Sequence, residues 1–157
     1  MEGVRPAVGE DAEACAELCR RAVDEIGHIR GGEWLLAREA AAVMDALLRP
    51  GGLEDLVAAS GQRVLVGTID AAVVGLAVGH VDQVGTDVLG VVDGCYVEPD
   101  ARGVGVGRAL LDALVVFFAG SGCRGVDAAA LPGDRGTKNF YEAAGFKARL
   151  ITLHQRP

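Results

Sequence analysis

Hydrophobic residues recur with two different periods along the chain of 157 residues. Near the start, "VRPAV" predicts a short strand. The segments "GEDAEACAELCRRAVDEI" and "WLLAREAAAVMDALLR" repeat apolar residues at helical spacing and predict two helices. Pro50 and the two glycines after it end the second helix.

From Gln62 onward the pattern is typical of strands. "QRVLVGTI" and "AVVGLAVGHV" flank Asp70 and Ala71, which predict a hairpin turn, and "TDVLGVVDGCYV" predicts a third long strand. A helix ("GRALLDALVVFFAG"), a strand ("RGVDAAAL"), a helix ("DRGTKNFYEAAG") and a last strand ("FKARLITLH") complete the chain. Since there is no internal repeat and no linker, we expect one α+β domain over residues 1–157.

Composition and charge restrict the function classes. A hydrophobic content of 50% argues against disorder, and the net charge of −7 argues against nucleic-acid binding. Such a charge suits cationic small molecules or basic peptides, although it also simply favours solubility. The apolar run at residues 71–79 is too short to cross a membrane, and no signal peptide is evident. We therefore expect a soluble, cytoplasmic protein.

The four cysteines do not form a metal-binding pattern. Cys15, Cys19, Cys95 and Cys123 include no CxxC pair, and no histidine lies beside them at ligand spacing. Cys15 and Cys19 are one helical turn apart, so they are expected to be buried thiols on a shared face. We expect no metal and no disulfide.

The most informative segment is "VEPDARGVGVGRALL", residues 97–111, between a predicted strand and a predicted helix. The first amides of a helix have no internal partner and attract anions such as phosphate. Gly103, Gly105 and Gly107 expose these amides, while Arg102 and Arg108 add positive charge. The segment therefore predicts phosphate binding, with a tight turn that binds nothing as the alternative. It is neither a GxGxxG fingerprint nor a Walker loop.

This segment resembles the phosphate-binding loop of the Gcn5-related N-acetyltransferase family, through Arg102, Gly105 and Gly107. "NFYEAAGF" is similar to the family's late helix, and "VRPAVGEDA" to its opening strand and helix entry. The resemblance implies a mixed, mostly antiparallel sheet flanked by helices. It also implies transfer of an acetyl group from acetyl-CoA to a primary amine of a small molecule or peptide, by direct attack in a ternary complex.

The resemblance also implies which residues serve coenzyme A. The backbone of residues 102–108 would bind the pyrophosphate, backbone groups of Tyr96 and Val97 the pantetheine arm, and Phe140 would close the other side. Tyr141 occupies the position of the family's proton donor to the leaving sulfur. Asp134 stands where many relatives have Asn and is expected to cap the helix. In full, the expected coenzyme A residues are Tyr96, Val97, Arg102, Gly103, Val104, Gly105, Val106, Gly107, Arg108, Asp134 and Phe140.

The general base is less clearly marked. Family members often carry Glu at the position that Val91 occupies here. Strand alternation places Asp93 on the same face as Cys95 and Val97, so Asp93 is the nearest carboxylate on the expected side. We expect burial to raise its pKa, which would suit a base. A carboxylate bonded to backbone at a bulge beside Gly94 is the alternative.

The acceptor wall is predicted in "GHIRGGEW", between the first two helices, where family members vary with substrate. Glu33 is suited to pair with a cationic amine and Trp34 to stack on it. Arg30 has the opposite sign, so the acceptor is not identified. Other readings remain open: a longer acyl donor, a ping-pong route through Cys95, or a catalytically silent acyl-CoA-binding or regulatory module. The apolar last strand is compatible with a homodimer.

Overall fold

The computed structural model describes all 157 residues. Five strands form one sheet in sequence order: β1 (Glu2–Pro6), β2 (Gln62–Ile69), β3 (Ala72–Val84), β4 (Asp87–Val97) and β5 (Gly125–Ala128). The first four pair antiparallel, and β5 is parallel to β4. The helices are α1 (Ala12–Gly27), α2 (Gly32–Trp34), α3 (Ala41–Leu48), α4 (Gly52–Ala58), α5 (Val106–Gly120) and α6 (Arg135–Ala143). The predicted α+β class with a mixed sheet is confirmed.

The predicted second helix is interrupted in the structure. A single helical turn, α2, leads into a π-helical segment, Leu35–Glu39, before α3 begins. Apolar periodicity over so short a segment does not distinguish a π turn from an α turn, so the interruption was not predicted. Helix α4, which follows the glycines, was also not predicted.

Helices cover both faces of the sheet. Helices α1, α3 and α4 bury one set of apolar side chains against β2 and β3, and α5 buries a second set on the other face. Cys15 and Cys19 lie buried in the first set, as predicted. None of the helices has both the length and the apolar character that crossing a bilayer requires.

Helix α5 lies unusually close to the sheet because glycines form the surface beneath it. A Cβ atom at Gly90 would lie 2.5 Å from Cγ of Phe118, and one at Gly79 would lie 2.6 Å from its Cζ. Gly67 and Gly75 lie in the same way beneath Val106 and Leu110. Real Cβ atoms do not approach other atoms so closely. The absent side chains therefore set the height of α5 above the sheet.

The predicted last strand is wrong. Residues 147–157 have no regular secondary structure, and their backbone makes no hydrogen bond to β5. An ion pair between Arg149 and Asp127 holds the segment beside β5. This side-chain contact stands in place of the backbone hydrogen bonds that the apolar alternation predicted. Leu150, Ile151 and Leu153 remain exposed. The strand edge expected to support a homodimer is thus not present in the single chain.

Arg5 and Asp11 connect the end of β1 to the start of α1. The guanidinium donates two hydrogen bonds, of 2.7 and 2.8 Å, to the nearly buried carboxylate, which also accepts the amide of Val8 at 2.9 Å. The hydrogen bond from Arg5 lowers the pKa of Asp11 against the opposing effect of burial.

We predict that Gly90→Ala destabilises the fold by roughly 1–3 kcal/mol, because the new methyl group would overlap the Phe118 ring. The matched control is Gly94→Ala on the same strand, where an added Cβ has no atom within 4 Å. Urea denaturation of both variants measures the effect, and equal stabilities would contradict the packing argument.

We predict that Asp11→Asn lowers the free energy of unfolding at neutral pH by roughly 1–2 kcal/mol, because it removes a charged hydrogen-bond acceptor. A carboxyl with a lowered folded-state pKa stabilises the fold above its unfolded pKa, about 3.9, and that stabilisation is lost as the pH falls through the folded value. The difference between wild type and variant should therefore shrink below about pH 4. A difference that stays constant in urea titrations down to about pH 2 would refute the role of this pair.

Candidate functional site

The candidate site lies where β4 and β5 separate. The two strands pair over residues 89–92 of β4, and β4 then continues to Val97 without a partner on that side. Helix α5 begins nine residues after this strand ends, and α6 follows β5. The end of β4, the start of α5 and the aromatic side of α6 therefore border one open cleft.

A β-bulge coincides with this separation. On β3, Val78 pairs with Gly94 and Gly79 pairs with Val92, so Asp93 is the extra residue of β4. The bulge breaks the strand alternation that the sequence analysis assumed. Asp93 points away from α5, whereas Cys95 and Val97 pack in the core beneath α5. The predicted common face for these three residues is therefore wrong.

The carboxylate of Asp93 pairs with the imidazole of His80 on the adjacent strand. Nδ1 of His80 lies 3.0 Å from Oδ1 and 2.8 Å from Oδ2 of Asp93. The Asp93 side chain is 10% exposed and that of His80 is 37% exposed. Burial raises the pKa of Asp93, as expected, while the hydrogen bond from His80 acts in the opposite direction.

The glycine-rich segment presents a series of unpaired amides. Gly103 and Gly105 adopt positive φ angles of 88° and 97°, and α5 begins at Val106. No amide of residues 103–108 donates to an acceptor within the chain. An added Cβ at either positive-φ glycine would have no atom within 4 Å, so a ligand can approach the backbone closely. Together with the helix dipole, these donors make the segment suited to an anion.

The two arginines of this segment are engaged with the protein. Arg102 donates from Nε to the carbonyl of Val97 at 2.8 Å, and its guanidinium pairs with Glu25 on α1 at 3.1 Å. Arg108 pairs with Asp112 at 2.9 Å and donates to the carbonyl of Ala143 at 3.2 Å. Their charges are therefore compensated, and the side chains brace the segment against α1 and α6. The expected addition of free positive charge is not seen.

Two further expected residues lie beside the cleft. Tyr96 lies on the α1 side of the sheet, where its hydroxyl donates to Glu25 at 2.9 Å; burial and this bond raise the pKa of Tyr96 to about 12. The Sγ of Cys95 lies 3.8 Å from the carbonyl of Gly107, and burial raises the pKa of that thiol to about 12. A thiol with such a pKa is protonated at neutral pH.

Tyr141 of α6 lies between two aromatic rings. Its ring centroid is 5.4 Å from that of Phe140 and 5.4 Å from that of Phe146, and the residue is 7% exposed. The hydroxyl has no hydrogen-bond partner in the chain. Because every fully buried polar side-chain atom has a partner, this oxygen is at least partly exposed to solvent. Burial raises the pKa of Tyr141, which keeps the phenol protonated at neutral pH.

The start of α6 confirms the predicted cap. Asp134 accepts the amide of Thr137 at 3.1 Å and its hydroxyl at 2.6 Å. Phe140, one turn further along, lies 3.4 Å from where a Cβ of Gly107 would be. Helix α6 therefore lies in van der Waals contact with the start of α5 at Gly107.

The segment predicted to form the acceptor wall packs over the loop before α6. A Cβ at Gly31 would lie 3.4 Å from Leu131, and one at Gly133 would lie 3.5 Å from Ile29. Trp34 is 55% exposed, and its ring centroid is 5.6 Å from that of His154. Glu33 lies 3.6 Å from Arg156. The C-terminal segment thus runs beside both expected acceptor residues.

His80 is the site residue that the sequence analysis missed. It was considered only as a metal ligand, because pairing across strands depends on a register that alternation alone does not define. Counting outward from the turn at Gly85 would have placed His80 opposite Val91, the position where a carboxylate was expected.

Comparisons with known proteins identify the family of the chain and structures that share its fold. Residues 30–146 match the family model described as the acetyltransferase (GNAT) family. No curated protein sequence matches the chain.

Solved structures resemble the chain over nearly its whole length. A transcriptional regulator from Bacillus halodurans C-125 is 17% identical, with a TM-score of 0.72 over 99% of each chain. The aminoglycoside N-acetyltransferase AAC(6')-Iy in complex with CoA is 20% identical, with a TM-score of 0.71 over 100% of this chain and 96% of that one. An acetyltransferase from Trypanosoma brucei is 20% identical, with a TM-score of 0.69 over 100% of both chains. At these identities, the likeness establishes a shared fold.

Proposed function

Because the chain belongs to the GNAT acetyltransferase family, we propose that it is an acetyl-CoA-dependent N-acetyltransferase. Its acceptor would be a primary amine of a small molecule or peptide, which attacks directly in a ternary complex. The observation that carries this proposal is the series of free amides at residues 103–108 beside the cleft where β4 and β5 part.

These residues fit a diphosphate. Consecutive amides at a helix start, preceded by two glycines at positive φ, supply several donors to adjacent phosphate oxygens at once. Arg102 links this segment to the end of β4 through its hydrogen bond to the carbonyl of Val97. A phosphate bound to the segment would therefore have a fixed position relative to the cleft. Acetyl-CoA, when bound, supplies the thioester whose acetyl group passes to the amine.

The chain's own residues supply the proton transfers. Tyr141 holds a proton at its hydroxyl oxygen, beside the cleft, and would donate it to the departing sulfur. The Asp93–His80 pair lies at the same separation of strands and would receive the proton of the amine. Direct transfer is favoured over acetylation of Cys95, because the raised pKa of that thiol leaves it protonated and weakly nucleophilic.

The acceptor would bind beside Glu33 and Trp34. The exposed indole provides a face for a cationic amine, which would compete with Arg156 for the carboxylate of Glu33. The solved structure of similar fold is named an aminoglycoside N-acetyltransferase, but the acceptor of the present chain is proposed only as an amine.

A catalytically silent module that binds acyl-CoA is the competing function. The specific observation in its favour is Val91, at the position where the resemblance leads one to expect Glu. Thiol release measured over a panel of amines, with coenzyme A binding measured in parallel, separates the two functions. Binding without release for every amine would support the silent module.

We predict that Gly105→Ala weakens coenzyme A binding about tenfold or more, measured by isothermal titration calorimetry. A side chain at a φ of 97° forces the backbone to rotate, which misaligns the donors around it. The matched control is Gly85→Ala, at a φ of 62° in the turn at the opposite end of β4. Both variants should lose some stability, but only Gly105→Ala should lose affinity. Equal affinity in both variants would remove the main support for the proposal.

We predict that Tyr141→Phe lowers turnover at least tenfold while leaving coenzyme A affinity nearly unchanged. The hydroxyl bonds to nothing in the chain, so its removal should also leave the melting temperature close to that of wild type. Steady-state thiol release together with calorimetry gives both quantities. Unchanged turnover would exclude the role of proton donor.

A further inference from the structure

The pairing of His80 with Asp93 leaves only one of the two side chains able to meet a ligand. Both carboxylate oxygens of Asp93 lie within 3.0 Å of Nδ1 of His80. The carboxylate is 10% exposed, whereas the imidazole is 37% exposed. An amine entering the cleft would therefore reach the imidazole more readily than the carboxylate behind it.

The carboxylate also determines which imidazole nitrogen carries a proton. An ionised carboxylate accepts hydrogen bonds and donates none, so Nδ1 must be the protonated nitrogen in this contact. The lone pair is then left on Nε2, which has no hydrogen-bond partner in the chain. An imidazole oriented in this way by a carboxylate is able to accept a proton at Nε2.

The position of the pair matches the place where the chemistry is expected. His80 pairs across the strands with Val91, the position where the resemblance leads one to expect a glutamate. The bulge beside it is open, because Gly94 is exposed and an added Cβ there would have no atom within 4 Å. The imidazole of His80 on β3 thus lies next to position 91 of β4, where the glutamate was expected.

We infer that Nε2 of His80 is the general base for the acceptor amine and that Asp93 is a positioning residue acting through it. The inference rests on the proposed function and replaces the earlier expectation that Asp93 is itself the base. In the step, the amine gives one proton to Nε2 while its nitrogen forms a bond to the acetyl carbon. The carbon–sulfur bond breaks, and the sulfur takes the proton of Tyr141. Asp93 stays ionised and stabilises the imidazolium that forms.

The first test examines the protein without ligand, by ¹⁵N NMR of histidine-labelled wild type and Asp93→Asn at about pH 8. We expect the proton of the His80 ring to reside on Nδ1 in the wild type and to shift toward Nε2 in Asp93→Asn. An Nε2-protonated or doubly protonated His80 in the wild type would overturn the inference, since neither form has a lone pair available at Nε2.

The second test compares turnover of His80→Asn, Asp93→Asn and a matched control, Asp82→Asn. The asparagine amide at position 80 can still donate to Asp93 but cannot accept a proton, so kcat should fall roughly 100-fold or more with coenzyme A affinity unchanged. Asp93→Asn should also lose turnover, through the wrong tautomer. Asp82 is an exposed carboxylate two residues beyond His80 on β3, and its variant should retain wild-type turnover.

The outcomes separate this inference from the proposed function. Wild-type activity in His80→Asn would overturn the role of His80 while leaving the acetyltransferase assignment intact. Absence of thiol release by the wild type with every amine would overturn the proposed function and this inference together. Loss of turnover in Asp82→Asn equal to that in His80→Asn would also contradict the inference, because a general electrostatic effect would then suffice.

Discussion

The close approach of α5 to the sheet is the constraint on which the rest of the structure depends. Four glycines, at positions 67, 75, 79 and 90, remove the side chains that would otherwise hold the helix away. Leu110, Leu114 and Phe118 fill the narrow space and are fully buried. Because the helix is fixed in height and direction, its first turn lies at the end of β4 with its amides directed outward. The position of these free amides is thus a consequence of packing along the whole length of the same helix.

One additional residue in β4 defines the remainder of the site. The bulge at Asp93 changes the face of the sheet on which the following side chains of β4 lie. The carboxylate of Asp93 therefore points toward His80, whereas Cys95 and Val97 lie in the core beneath α5. The same residue marks the end of pairing with β5, where the cleft opens. A single local irregularity therefore separates the strands and brings an imidazole and a carboxylate to the point of separation.

Particular elements show what the sequence could and could not predict. Strand β2 and the turn at Asp70 and Ala71 were predicted with their observed bounds, because alternation and turn chemistry are local signals. The glycine-rich segment was recognised for the same reason: its donors are backbone groups, which depend little on distant contacts. The Asp93–His80 pair was not predicted, because it depends on a register that shifts at a bulge. The prediction of the last strand was wrong because alternation identifies a segment that is able to pair. It does not show whether that segment forms hydrogen bonds with the edge strand β5.

The glycine-lined contact beneath α5 also bears on how the domain fluctuates. A helix that touches four strands and carries fully buried side chains cannot detach without exposing the whole of one core. Amide protons in the middle of α5 should therefore exchange with solvent only when the domain opens as a unit, while those of its first turn exchange freely. The first turn of α5 is then accessible to solvent but fixed in position. If it binds phosphate as proposed, little conformational entropy is lost there on binding.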